Sequence, residues 1–158
     1  MLKFRRKMIT DYYKANMIGF TVVELMVVVS LLTLFSVLAA PFGIEFYREQ
    51  ALEEETQTLA NNLKITQSRA MAGKDNIAWG IEFLQGEYVI FRGSTCEEGE
   101  AYRTVQLRGG IETEGASCIL FEKGTGDPGA SAEITVKYGE DRIRIINVTE
   151  GGVIETTQ

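Results

Sequence analysis

At 158 residues the chain is long enough for one modest domain plus an anchor and too short for two full domains. It holds no histidine, which removes the commonest general base and metal ligand, so hydrolase triads and zinc sites lose their usual member. The net charge of −6 is unevenly spread: residues 1–19 carry +4, and taking that away leaves −10 on the remainder, an acidic surface that repels phosphate backbones.

Residues 1–19 read as a polar, basic leader, with Lys3, Arg5, Arg6, Lys7 and Lys14 against Asp11. From Phe20 to Ala40 every residue except Glu24 is apolar, Ser or Thr. That is roughly the twenty residues a helix needs to cross a bilayer. Cationic flanks tend to remain cytoplasmic, so the acidic part is expected on the outer side of the membrane. An ordinary secretory signal carries its apolar region before the cut and loses it. Here that region follows Gly19 and would be retained, so the pattern is that of an exported protein that keeps its anchor.

A helix is expected to begin near Phe20, with Thr21 in its first turn. Pro41 lacks a backbone N–H and Gly43 follows closely, so a bend or local softening is expected there. Beyond it, Leu52, Thr56, Leu59, Leu63, Thr66 and Ala70 recur in steps of four and three, which places them on one helical stripe. Gly73 is a plausible C-terminal stop. One helix from Phe20 to Ala72 would measure roughly 80 Å.

After Gly73 the period falls to two, with β-branched and aromatic residues. Ile77 to Leu84 and Glu87 to Phe91 form a predicted hairpin around Gln85-Gly86. Shorter strands are expected at Arg103 to Leu107 and Cys118 to Glu122. A second hairpin joins Ala132–Tyr138 to Arg142–Val148 around Gly139, and a last strand includes Val153 to Glu155. The predicted fold class is α+β: a long N-terminal helix packed against an antiparallel β-sheet domain. Four segments follow: leader 1–19, apolar helix 20–40, amphipathic continuation 41–73 and β-rich domain 74–158.

The sequence Gly19-Phe20-Thr21-Val22-Val23-Glu24-Leu25, behind a basic leader and ahead of an apolar helix, resembles the type IV pilin superfamily. Pro41 falls where those proteins commonly carry a helix-bending proline. Leu59, Leu63, Gln67-Ser68-Arg69-Ala70-Met71, Trp79, Gly80 and the run Arg142–Asn147 before Gly151-Gly152 look most like the GspH/FimT group of minor pseudopilins. The resemblance implies a structural subunit of a type II secretion pseudopilus or a type IV pilus. It implies cleavage after Gly19 by a prepilin peptidase that also N-methylates Phe20. It further implies contact with an inner-membrane assembly platform, and packing against other pilins or pseudopilins through the N-terminal helices. The expected location is the inner membrane, single-pass, with the C-terminal domain periplasmic or extracellular until assembly into a filament.

Each candidate residue also has a plainer reading. Glu24, alone, could be a polar residue tolerated near an interface. Beside Gly19-Phe20 it reads as the acid that neutralises the Phe20 α-amine of a neighbouring subunit or its own, since an unpaired charge in an apolar medium is costly. Gly19 could be a mere flexible junction, but its flanks favour a peptidase site. Cys96 and Cys118 could form a bridge or stay as two separate reduced thiols, because their distance is not legible in sequence. Gly124 to Gly129 matches the letters of a dinucleotide fingerprint, but Pro128 lies inside it and strand residues follow, so a turn is expected. Asn147-Val148-Thr149 is a chance glycosylation triplet. Glu97, Glu98 and Glu100 lack calcium-loop spacing and read as a solvated loop.

Arg142 and Arg144 share one strand face. Some FimT-like minor pilins bind DNA through a basic C-terminal region, which makes a competence-type pilin the alternative function. No Arg or Lys follows Arg144, so the arginines are expected to face solvent and nucleic acid is not an expected partner. No catalytic residue, metal or cofactor is expected, and the chain does not read as an enzyme.

Overall fold

The Thr21 side chain starts the helix: its Oγ1 accepts a hydrogen bond from the Glu24 amide at 3.2 Å, satisfying a backbone N–H that has no partner within the first turn. A computed structural model of the chain describes residues 20–73 and 76–157, apart from the side chains of 39–42. Gly19 and the rest of the leader therefore lie outside the described residues. Helix α1 runs Val22–Met71. Its backbone stays helical through residue 41, and the bend expected at Pro41 falls in the stretch whose side chains are outside the description. At the other end the Gly73 amide bonds the Ala70 carbonyl at 3.0 Å and Gly73 takes φ 59°, the left-handed residue with which helices commonly terminate.

The chain divides into two units, Met1–Gly43 and Ile44–Gln158. In the second, the predicted stripe becomes the inner face of α1. Leu52, Leu59, Leu63 and Ala70 are fully buried, as are the hydroxyl-bearing Thr56 and Thr66. Those two remain inside because each donates its hydroxyl to the carbonyl four residues earlier, at 2.8 and 2.7 Å, so no polar group is stranded.

Among the described residues eight strands cover that face: β1 Trp79–Leu84, β2 Glu87–Arg92, β3 Glu100–Gln106, β4 Ile111–Gly115, β5 Cys118–Phe121, β6 Ala132–Tyr138, β7 Arg142–Val148 and β8 Ile154–Thr157. They form two four-stranded antiparallel sheets rather than one, in the orders β3-β2-β1-β5 and β4-β6-β7-β8. Both predicted hairpins are present, with Ile81 opposite Ile90 in the first and Ile134 opposite Ile146 in the second. Some boundaries differ. β1 starts at Trp79 rather than Ile77, because Asn76 turns the chain at φ 57°. β2 extends to Arg92, β3 covers Glu100–Gln106 instead of Arg103 to Leu107, and β8 starts one residue later and extends to Thr157.

One core joins the two sheets to the helix. Trp79, Ile81, Tyr88, Ile90, Ile119 and Phe121 come from the first sheet and Ile134, Val136, Ile146 and Val148 from the second, packed with Leu52, Leu59 and Leu63. All of these residues lie within Ile44–Gln158, so that unit contains its own hydrophobic core.

Candidate functional site

In the N-terminal unit every described side chain from Phe20 to Leu38 is exposed. Its large apolar residues range from 42% exposure at Val28 to 79% at Phe20, and they lie all round the helix rather than along a stripe. A helix apolar on every side is stable only when something apolar surrounds it, either lipid or other helices. Its polar groups suit such a medium. Ser30 and Ser36 donate their hydroxyls to the carbonyls four residues back, at 2.7 and 2.8 Å, and Thr33 donates to Ser30, so none needs water. Glu24 differs. Its amide is capped by Thr21, but among the described residues no side chain pairs with its carboxylate. Among the described residues no single helix is long and apolar enough to cross a membrane, although Val22–Leu38 and Gly43–Met71 together pass by length and composition.

The second unit holds the remaining candidates. Arg142 and Arg144 do not face solvent, contrary to expectation. Side chains of one parity on β7 share a face, and Ile146 and Val148 of the same parity are buried under α1. Near the start of the strand that inward face meets Glu45, Glu49 and Glu53, spaced four apart along the helix. Arg142 pairs with Glu45 and, at 3.6 Å, with Glu49; Arg144 pairs with Glu49 and, at 3.4 Å, with Glu53. The two arginine side chains are only 24% and 17% exposed, so both guanidiniums are already committed to carboxylates. The Gln57 hydrogen bond, helped by Arg144, holds the Glu53 carboxyl below its ordinary range against the opposing effect of desolvation.

Cys96 and Cys118 are joined, with their Cα atoms 6.3 Å apart. The bridge ties the loop after β2 to the start of β5, and Glu97 and Glu98 lie exposed in that loop. Glu100 belongs to β3 instead and pairs with Arg92 at 2.7 Å. No group of three or more acidic, histidine or cysteine side chains that could hold a metal ion occurs among the described residues.

The segment from Gly124 to Gly129 is a turn, as expected, and it is pinned to the helix. The Gln67 amide nitrogen donates to the carbonyls of Gly126 at 3.1 Å and Gly152 at 2.7 Å, which joins α1 to two turns far apart in sequence. Two residues on, Arg69 stacks over Trp79 at 5.2 Å and Tyr102 at 4.6 Å, while those rings meet edge to face at 5.2 Å. Gly80 follows Trp79 because a Cβ there would lie 2.5 Å from the Phe91 ring and 2.7 Å from the Ile119 carbonyl. The Asn62 amide donates to the Tyr88 hydroxyl at 2.6 Å, but burial is the larger influence and pushes that phenol up. Sequence reasoning missed the tie made by Gln67 and the Arg69 stack. The only signal for them is a polar residue directly beside a buried stripe.

No family model and no curated protein matches the chain. Solved structures do. The chain is similar to the minor pseudopilin EpsH from the type 2 secretion system of Vibrio cholerae, at a TM-score of 0.53 and 10% identity over 66% of this chain and 94% of that one. A crystal structure of the minor pseudopilin EPSH from the same system gives a TM-score of 0.50 at 10% identity, over 69% and 97% of the two chains. The fold is therefore pseudopilin-like: a long N-terminal helix packed on antiparallel sheets.

Proposed function

We propose that the chain is a minor pilin or pseudopilin, a structural subunit of a type II secretion pseudopilus or type IV pilus rather than an enzyme. The observation that carries this reading is the segment from Phe20 to Leu38, helical from Val22, apolar and exposed on all sides, with Glu24 as its one charge. The pseudopilin-like fold of the domain supports it. In this reading a prepilin peptidase cuts after Gly19 and methylates the new amine of Phe20. The helix then waits in the inner membrane with the acidic domain outside. At the assembly platform it exchanges lipid for the helices of neighbouring subunits.

Glu24 has an electrostatic role. An amine at Phe20 and a carboxylate four residues along are each costly in an apolar filament core, by on the order of a few kcal/mol, and pairing relieves both. Because the pair forms at one axial offset between subunits, it also sets register. Successive contacts are heterologous, since each subunit presents different faces above and below, and such contacts propagate as a helix. Glu24→Val tests this: the variant is cleaved normally and enters filaments poorly. Normal incorporation would overturn the pairing role.

The competence-type alternative has less support. The two arginines that could have met phosphates are held by Glu45, Glu49 and Glu53. Salt-dependent binding of DNA by residues 44–158 would favour that alternative.

A further inference from the structure

Cations on this acidic domain are mostly neutralised. Arg48, Arg92, Arg108, Lys137, Arg142 and Arg144 each hold a carboxylate in an ion pair. Lys64, Arg69, Arg103 and Lys123 make no such pair among the described residues, and the first three lie on one side of the domain. Lys64 and Arg69 line a shallow cleft on the flank of α1 with Asn61, Ile65 and Ser68. Arg69 touches Tyr102 of β3, and Arg103 is the next residue of that strand. Arg103 sits opposite Ile90, whose side chain faces the core, so its own side chain starts out toward the helix flank.

The strand between these cations has an open side. β3 ends its sheet, among the described residues it pairs with β2 alone, and six of its seven residues are exposed. An edge strand of that length presents unpaired backbone donors and acceptors to any extended chain that reaches it. Natural edges are commonly blunted by charge. Here Glu100 of the same strand is held by Arg92, which leaves the cations Lys64, Arg69 and Arg103 to deter a basic strand and attract an acidic one.

We infer that the β3 edge takes up an extended, acidic segment of a partner protein as an added strand, its carboxylates meeting Lys64, Arg69 and Arg103. Backbone hydrogen bonds supply affinity in such strand addition, and alternate side chains supply selectivity. The exposed face of Tyr102 and the apolar Ile65, 49% and 47% exposed, offer contact to the alternate, uncharged side chains. The inference rests on the proposed filament role only for the identity of the partner, which would then be a neighbouring subunit.

The test uses the full chain in detergent and an alternating Glu/Val peptide about eight residues long, near the length of an ordinary strand. Amide hydrogen exchange is followed across the domain. Near-saturating peptide slows exchange in Glu100–Gln106 by about tenfold, as nine-tenths occupancy requires, and added salt reverses the effect. The matching Lys/Val peptide leaves those amides unchanged. Arg103→Glu combined with Lys64→Glu abolishes the protection. Both positions are exposed, so the fold should persist, and unchanged exchange in β6 and β7 reports that it has. No protection of β3, equal protection by both peptides, or full protection in the double variant would overturn the inference. Binding of anionic lipid or DNA at this side without slower β3 exchange would overturn it as well. Because the assay contains no filament, its failure leaves the assembly role standing, and a failed assembly test leaves strand addition standing.

Discussion

Replacing Gln67 by Leu should unfasten the domain at one point. The buried amide of Gln67 donates at 3.1 Å to the Gly126 carbonyl and at 2.7 Å to the Gly152 carbonyl. The site has little room to adapt, since a Cβ on Gly152 would come within 2.3 Å of the Gln67 amide nitrogen. Leu removes both bonds and leaves two carbonyls facing hydrocarbon. At about 1–3 kcal/mol for each buried acceptor left unsatisfied, the loss from the two should be about 2–6 kcal/mol. That is a large share of the roughly 5–15 kcal/mol that stabilises a typical domain. Urea denaturation of the oxidised 44–158 fragment measures it, with the slope unchanged and the midpoint lowered. Gln67→Glu sharpens the test. A buried carboxylate facing two carbonyls has its folded pKa raised above the unfolded value, so the proton-bound form is the one the fold tolerates. This variant should be nearest the parent in acid and lose stability as pH rises through that folded pKa. A Leu variant within about 0.5 kcal/mol of the parent would refute the reasoning, since surface substitutions alone produce changes of that size. So would a Glu variant whose deficit does not change with pH.

Reduction of Cys96–Cys118, which spans 22 residues of sequence, should cost about 3 kcal/mol by loop-closure entropy, and Cys96→Ser/Cys118→Ser should show the same loss without reductant. Denaturation midpoints with and without reductant check both. Arg144→Gln should destabilise the domain at neutral pH and leave it less sensitive to acid than the parent. The Glu53 carboxyl is held below its ordinary range in the folded state, partly by Arg144. Its contribution is therefore complete above the unfolded pKa and lost as pH falls through the lower folded one, and the variant has less of it to lose. Thermal melts of parent and variant from neutral pH into acid check this.

The inner stripe of α1 was legible because its apolar and hydroxyl residues repeat at three and four over five turns, and each lies against the core. The hairpin of β6 and β7 was legible from alternation. Strand β4 was not, because Ile111 is its one buried residue and Glu112 to Gly115 read as a polar loop. Nor could sequence divide the strands between two sheets. β5 pairs with β1, some forty residues earlier, while β4 just before it pairs with β6. The orientation of Arg142 and Arg144 was ambiguous for a specific reason. β7 has apolar residues on both parities, Ile143 and Ile145 on one and Ile146 and Val148 on the other, and only the tertiary placement of α1 decides between them. The glutamates that hold the arginines lie more than ninety residues upstream. At the N-terminus the situation is reversed: Gly19, Phe20 and Glu24 form a pattern in sequence, while the isolated chain offers Glu24 no partner among the described residues.

The most direct measurement is the intact mass of the protein recovered from its native membranes, with N-terminal sequencing of the same sample. The account predicts a chain that begins at N-methylated Phe20 and lacks residues 1–19. Recovery of the chain with those nineteen residues attached would contradict it, because Glu24 would then have no freed amine to meet.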